Sequence, residues 1–153
     1  MGCMKVLRSD LLAGFKNKLF ELDVENIDNL GINLEDHKLY CNFSSKIVKN
    51  GFKLEGYVIN NAVYDCDRCL ESFSNSEKIN TELLISHNHS NIKENSYDII
   101  IFSDKDNSVD LSKTLIEILI AEKPLKNLCS TLCRGLCSIC GINFNHKICS
   151  CNN

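Results

Sequence analysis

Six of the ten cysteines in this 153-residue chain crowd into its last 25 residues, as Cys129-x3-Cys133-x3-Cys137-x2-Cys140-x8-Cys149-x-Cys151. A Cys66-Asp-Arg-Cys69 pair stands about 60 residues upstream. Thiols grouped like this are either joined as disulfides or hold soft metal ions. A Cys-x2-Cys turn sets two sulfurs on one side of an ion, its backbone amides can donate to the thiolates, and tetrahedral zinc takes two more ligands from elsewhere. Cys66–Cys69 falls between two expected strands, where a turn belongs. A thioredoxin-like redox pair would instead open a helix after a strand. Cys137-Ser-Ile-Cys140-Gly141 is a second such turn.

Eight cysteines make two four-sulfur sites when Cys3 and Cys41 are set aside. Cys41 lies within a strand pattern as a small core residue, and Cys3 has no partner in sequence. The sharing stays open between three arrangements. The tail keeps Cys137, Cys140, Cys149 and Cys151 while Cys129 and Cys133 reach back to Cys66 and Cys69; or the pairs interleave; or His146 replaces Cys149 or Cys151. His87-Asn-His89 lies on a polar stretch and reads as solvated. It lacks the separate base and metal constellation of a His-Asn-His nuclease.

The compartment decides between the two thiol chemistries. No cationic stretch leads into an apolar run, and no apolar run approaches the roughly 18 residues of a membrane span. Met1-Gly2-Cys3 resembles a myristoylation start, but Val6 stands where Ser or Thr is required. The expectation is a soluble cytosolic protein with no membrane partner, where disulfides are rare and metal is favoured. The Asn42-Phe-Ser and Asn88-His-Ser sequons are then chance matches. With no phosphate-cradling glycine loop and no nucleophile elbow, the chain offers no catalytic constellation, and closed four-sulfur zinc sites leave no coordination position for water. Isolated carboxylates such as Glu117 read as helix surface. The expectation is no enzyme.

The elements that must position these thiols are mostly strands. Residues 15–23 read as a strand, preceded by a helical turn at Ser9–Ala13, and Val24–Asn33 reads as a connection. Alternating runs at Lys38–Val48 and Phe52–Tyr64 flank a turn at Asn50-Gly51, a hairpin signature. In the second run Phe52, Leu54, Gly56, Val58 and Asn60 share one face, so the alternation is imperfect. Ser76–Ser86 is the next strand, His87–Ser96 a polar loop, and Tyr97–Phe102 a short apolar strand. The clearest helix spans Leu111–Glu122, capped by Asp110 or Ser108, with Leu111, Leu115, Ile118 and Leu119 at helical spacing; Pro124 stops it. Residues 126–153 carry almost no periodicity, so metal must supply their order. The fold class expected is α+β: a mainly antiparallel sheet, one substantial C-terminal helix and a cysteine-rich, zinc-stapled tail. Residues 1–126 form the body with the Cys66/Cys69 turn, and 127–153 a zinc-binding knuckle packed on it or tethered to it.

Charge divides a few residues earlier. Residues 1–122 hold 13 Lys/Arg and all 20 Asp/Glu, whereas residues 123–153 hold Lys123, Lys126, Arg134 and Lys147 with no acid. Together with Arg68 these are the candidate phosphate contacts; the alternative is that they offset the thiolates and keep the tail soluble. Overall acidity and the absence of tryptophan weigh against strong autonomous RNA binding.

The residues also carry a resemblance. Cys66-Asp-Arg-Cys69-Leu70-Glu71-x-Phe73 resembles the C-x-R-C-L-E-x-F segment of the YceD family, the large ribosomal RNA subunit accumulation proteins. Val109-Asp110-Leu111, Lys123-Pro124-Leu125-Lys126-Asn127-Leu128-Cys129, Arg134-Gly135-Leu136-Cys137-x2-Cys140-Gly141-x-Asn143 and Cys149-x-Cys151 follow in family order. The motifs cover residues 60–153. Ser138 stands where many relatives have Pro, and His146-Lys147-Ile148 replaces a commoner Glu-Gly-Pro stretch. The resemblance implies two zinc ions, one on Cys66, Cys69, Cys129 and Cys133 and one on Cys137, Cys140, Cys149 and Cys151. It implies a non-enzymatic role in accumulation or processing of large-subunit ribosomal RNA precursor and in ribosome assembly. The expected partners are that RNA or the assembling large subunit, and an assembly-factor protein. The alternatives are a protein-interaction adaptor of ribosome biogenesis without direct RNA contact, and a thiol redox or metal-handling protein.

Overall fold

The computed structural model describes residues 3–24, 32–86 and 98–151. Within them the elements run β1 (Lys5–Leu7), α1 (Arg8–Ala13), β2 (Phe15–Asp23), β3 (Asn33–Leu34), β4 (Lys38–Val48), β5 (Gly51–Asp65), β6 (Ser72–Ser86), β7 (Asp98–Ile101), β8 (Ser108–Asp110) and α2 (Ser112–Ala121). Period-two patterning builds the centre. Along β4, Leu39, Cys41, Phe43 and Ser45 are buried while Tyr40, Asn42 and Ser44 between them are half-buried, and β5 and the distal half of β6 alternate the same way. One sheet face therefore turns inward.

The main sheet orders its strands β2-β4-β5-β6-β7, with β3 pairing β5 beside that path. All pairings are antiparallel except the last, where β7 runs parallel to β6 from Leu83↔Asp98 to Ser86↔Ile101. Strands β1 and β8 form a separate antiparallel ribbon. The sheet's inner face, including Phe43, Leu54, Val58, Leu83 and Ile85, joins one core with Val6 and Val109 of the ribbon, Leu11 of α1, and Leu115 and Leu119 of α2. Each such fully buried aliphatic contributes about 1.5–3 kcal/mol of transfer free energy.

Three expectations are corrected. Val48 pairs with Gly51, so the two-residue turn is Lys49-Asn50, one position earlier than expected, and Gly51 opens the strand. Strand β6 begins at Ser72 rather than Ser76, because Cys66–Cys69 closes a hairpin whose ladder continues from Asp65↔Ser72. Among the described residues the helix expected over Leu111–Glu122 is the shorter α2, and no substantial C-terminal helix is shown. α2 has ten residues, ends before the tail, and takes Leu111 as N-cap with no side-chain cap. Asp110 belongs to β8, and its Oδ1 accepts the Ser112 N–H at 2.9 Å, the bond expected of a cap on a helix opening at Leu111. The connection expected at 24–33 lies largely outside the described residues, as do the whole of 87–96 and Tyr97.

The imperfect alternation of β5 has a steric cause. Gly56 faces Phe43 across the ladder, and a Cβ there would lie 1.9 Å from the Asn42 carbonyl oxygen. The strands approach too closely for any side chain.

Candidate metal centres

Two turns with the same backbone present the thiols. In the β5–β6 turn the Cys66 N–H donates to the Glu71 carbonyl at 2.9 Å and the Leu70 N–H to the Cys66 carbonyl at 2.9 Å. In the tail the Cys137 N–H donates to the Ile142 carbonyl at 2.8 Å and the Gly141 N–H to the Cys137 carbonyl at 2.9 Å. Both are Cys-x2-Cys knuckles closed by a residue of positive φ, Leu70 at 60° and Gly141 at 72°.

Each knuckle receives two further thiols. After α2 the chain returns to the first turn, where the Asp67 N–H donates to the Asn127 carbonyl at 2.8 Å and the Asn127 N–H to Asp67 Oδ2 at 2.7 Å. That pair sets Cys129 and Cys133 over Cys66 and Cys69. Arg68 Nη1 donates to the Cys133 carbonyl at 2.9 Å. Cys66 and Cys133 sulfurs lie 3.8 Å apart, Cys69 and Cys129 sulfurs 3.6 Å. In the tail, Cys149 Sγ lies 3.3 Å from Cys140 and 3.4 Å from Cys137, and Cys151 completes the group. Within each tetrad all four sulfurs fall within 4.8 Å of one another. A tetrahedral ion with metal–sulfur bonds of about 2.3 Å sets its ligands about 3.8 Å apart. The donor sets fit a thiophilic metal ion. All ten cysteines are free thiols.

Electrostatics points the same way. Burial opposes ionisation of Cys66, yet the backbone N–H groups of Cys129, Cys69 and Arg68 outweigh it and bring the thiol down to about 6. Burial and then the neighbouring sulfurs push Cys129 up to about 12. In the second tetrad the N–H groups of Cys140 and Ile139 bring Cys137 down to about 6. Cys149 rises to about 12, because the Cys140 and Cys137 sulfurs outweigh the opposing Cys151 N–H. Four adjacent thiolates repel, and each tetrad thus splits into easily and barely ionised members. A bound divalent cation removes that conflict.

The other sequence candidates separate clearly. Cys41 is buried in β4, where desolvation alone pushes its thiol to about 12. Cys3 donates to Asp110 Oδ2 at 2.9 Å, far along the chain from either tetrad. His146 joins neither group; its Nε2 lies 2.8 Å from Glu71 Oε1. His87 and His89 lie outside the described residues. Arg68 packs beside the segment carrying Arg134, since a Cβ at Gly135 would sit 3.2 Å from the Arg68 carbonyl oxygen. Arg68, Lys126, Arg134 and Lys147 are exposed and Lys123 is half-buried.

Residues not singled out from sequence join the two knuckles. Asn145 Nδ2 donates to Cys133 Sγ at 3.3 Å, its Oδ1 accepts the Arg134 N–H at 2.8 Å, and the Phe144 N–H donates to the Gly135 carbonyl at 3.0 Å. The Asn145 amide is the foremost cause holding the Cys133 thiol below its usual range. The available signal was an Asn-x-Asn pair, Asn143 and Asn145, between cysteines of one site.

A largely β fold stapled at one end by two four-thiol clusters defines the class of protein. The family model described as "Large ribosomal RNA subunit accumulation protein YceD" matches residues 54–153, and the chain belongs to that family. The name ties the family to accumulation of large-subunit ribosomal RNA. No curated protein and no solved structure matches. Among the described residues no helix is long and apolar enough to cross a membrane.

Proposed function

We propose that the chain is a non-enzymatic zinc protein of the cytosol that acts in accumulation or processing of large-subunit ribosomal RNA and in assembly of the large subunit. The observation that carries the zinc reading is the pair of tetrads, each with four sulfurs inside 4.8 Å, lying within the family match. One ion takes Cys66, Cys69, Cys129 and Cys133, and the other takes Cys137, Cys140, Cys149 and Cys151. Closed four-sulfur zinc serves structure. Residues 1–126 form the body, and 127–153 the knuckle segment packed on its hairpin end. Arg68, Lys123, Lys126, Arg134 and Lys147 meet RNA phosphate.

The purified protein is expected to hold two zinc ions per chain by elemental analysis. Alanine at Cys66 or Cys133 removes one and lowers the thermal midpoint, because a closed site is worth on the order of 10 kcal/mol in apparent binding. Alanine at Cys140 removes the other and disorders mainly the tail. A metal-free chain with intact disulfides ends the zinc reading. For the RNA reading, charge reversal of Arg134 and Lys147 to Glu weakens association with ribosomal RNA precursor while zinc content holds, and each lost phosphate contact flattens the salt dependence by about one unit of slope.

One feature favours a second reading, an adaptor that binds a basic protein. Glu82, Asp98, Glu117 and Glu122 line a groove of about 380 Å³ between β6, β7 and α2. Unchanged RNA association in the Arg134/Lys147 double variant selects that reading.

A further inference from the structure

We propose that the two thiol clusters form one coupled metal-binding unit, in which Asn145, carried by the second knuckle, completes the surroundings of the first site. Loading of either site then strengthens the other. The proposal rests on the reading of both clusters as zinc sites.

Asn145 lies between Cys140 and Cys149 in sequence and so belongs to the loop that the second tetrad closes. Its orientation is fixed by chemistry: the Arg134 N–H requires an acceptor, so Oδ1 takes that side at 2.8 Å. Nδ2 is thereby directed at Cys133 Sγ, 3.3 Å away. A neutral N–H donated to a ligating thiolate disperses charge and holds the sulfur in place. Partners of this kind typically contribute about 10–100-fold to metal affinity. The neighbouring residue grips the other half of the same site, since His146 Nε2 meets Glu71 Oε1 at 2.8 Å, two residues beyond Cys69.

The loop that delivers both side chains is built rather than incidental. Asn145 N–H bonds Asn143 Oδ1 at 2.9 Å, and the His146 and Lys147 N–H groups both reach the Asn143 carbonyl at 3.1 Å. Leu136 and Asn143 form a β-bridge across its base. Its ends are Cys140 and Cys149. An ion in the second site pins those ends and presents Asn145; losing that ion frees them and withdraws the donor from Cys133. Because coupling between binding sites is reciprocal, filling the first site must stabilise the second by the same factor.

The test uses the full chain loaded with zinc, titrated with a chelator of known affinity. Four variants are compared with the parent: Asn145→Ala, Asn145→Asp, Cys140→Ser and the Cys140→Ser/Asn145→Ala double. Cys66→Ser removes the first site and so assigns the remaining release step to the second. Asn145→Asp keeps the acceptor for Arg134, loses the donor and sets a carboxylate charge beside Cys133 Sγ. Asn145→Ala is expected to weaken zinc at the first site about tenfold, and Asn145→Asp by at least as much, since its carboxylate also repels the Cys133 thiolate. Cys140→Ser weakens it comparably. Adding Asn145→Ala to Cys140→Ser then costs less than about twofold more, because the loop is already released. First-site affinity in Asn145→Ala within about twofold of the parent, or effects that simply multiply in the double variant, overturns the coupling. A parent chain that binds no zinc ends the underlying zinc reading; two zinc ions without coupling ends this proposal alone.

Discussion

Leu70 and Gly141 occupy the same position of two matching knuckles, yet only one is glycine. Both have left-handed backbone, φ 60° and 72°. A side chain with a Cβ carries roughly 1–2 kcal/mol of strain there, and Leu70 is 68% exposed, so little packing offsets it. Leu70→Asn, which places a left-handed-tolerant side chain at that φ, is expected to raise stability by up to about 1 kcal/mol with zinc content unchanged. Calorimetry of the zinc-loaded protein reads this directly, and a lowered midpoint would mean that the leucine packs more than its exposure indicates. Sequence made the eight tail-and-turn cysteines legible because ligand spacing is local, and it left their sharing open because sharing is set by tertiary contact. Asn145 was illegible for the same reason: its acceptor sulfur lies 12 residues away, across a loop whose path no local pattern dictates.

Among the elements, the β4–β5 hairpin was legible because alternation and a turn signal reinforce each other. The one-residue offset of its turn was not, since register is fixed by which face meets the core. The ribbon of β1 and β8 escaped because three residues carry no measurable period, and only Val6 and Val109 reveal it by their burial. Strand β7 was visible as an apolar run, but its parallel pairing to β6 follows from topology alone. The close approach at Gly56 gives this scale its prediction. Gly56→Ala drives a Cβ against the Asn42 carbonyl and is expected to cost about 1–3 kcal/mol. Gly141→Ala meets nothing within 4 Å and carries only the left-handed strain. Denaturant titration of both variants is expected to shift the midpoint far more for Gly56→Ala in the sheet body; equal shifts would place the strain, not the packing, in control.

At the level of the whole molecule the chain has one core and one staple. Every residue of the main core lies at or before Leu119, and the tail contributes Cys133, with Leu128 and Leu136 against it, to a second small cluster around Cys66 and Cys69. The basic tail therefore meets the acidic body through that small cluster and a few hydrogen bonds, with no share in the main core. If the two tetrads hold metal as proposed, removing it separates tail from body in graded fashion. With chelator present, hydrogen exchange is expected to lose protection first at Phe144, His146 and Lys147, whose N–H groups bond only within the tail. Asp67 follows, since its N–H bonds Asn127. The β5–β6 ladder loosens next at its Asp65↔Ser72 end, beside the vacated turn, while its Gly51↔Ser86 end, far from the thiols, stays protected. A gradient along that ladder marks the staple as an addition to a self-sufficient sheet. Uniform loss of protection at the same chelator concentration would show instead that the first site is required for the sheet to fold, and the division at residue 126 would then have no physical meaning.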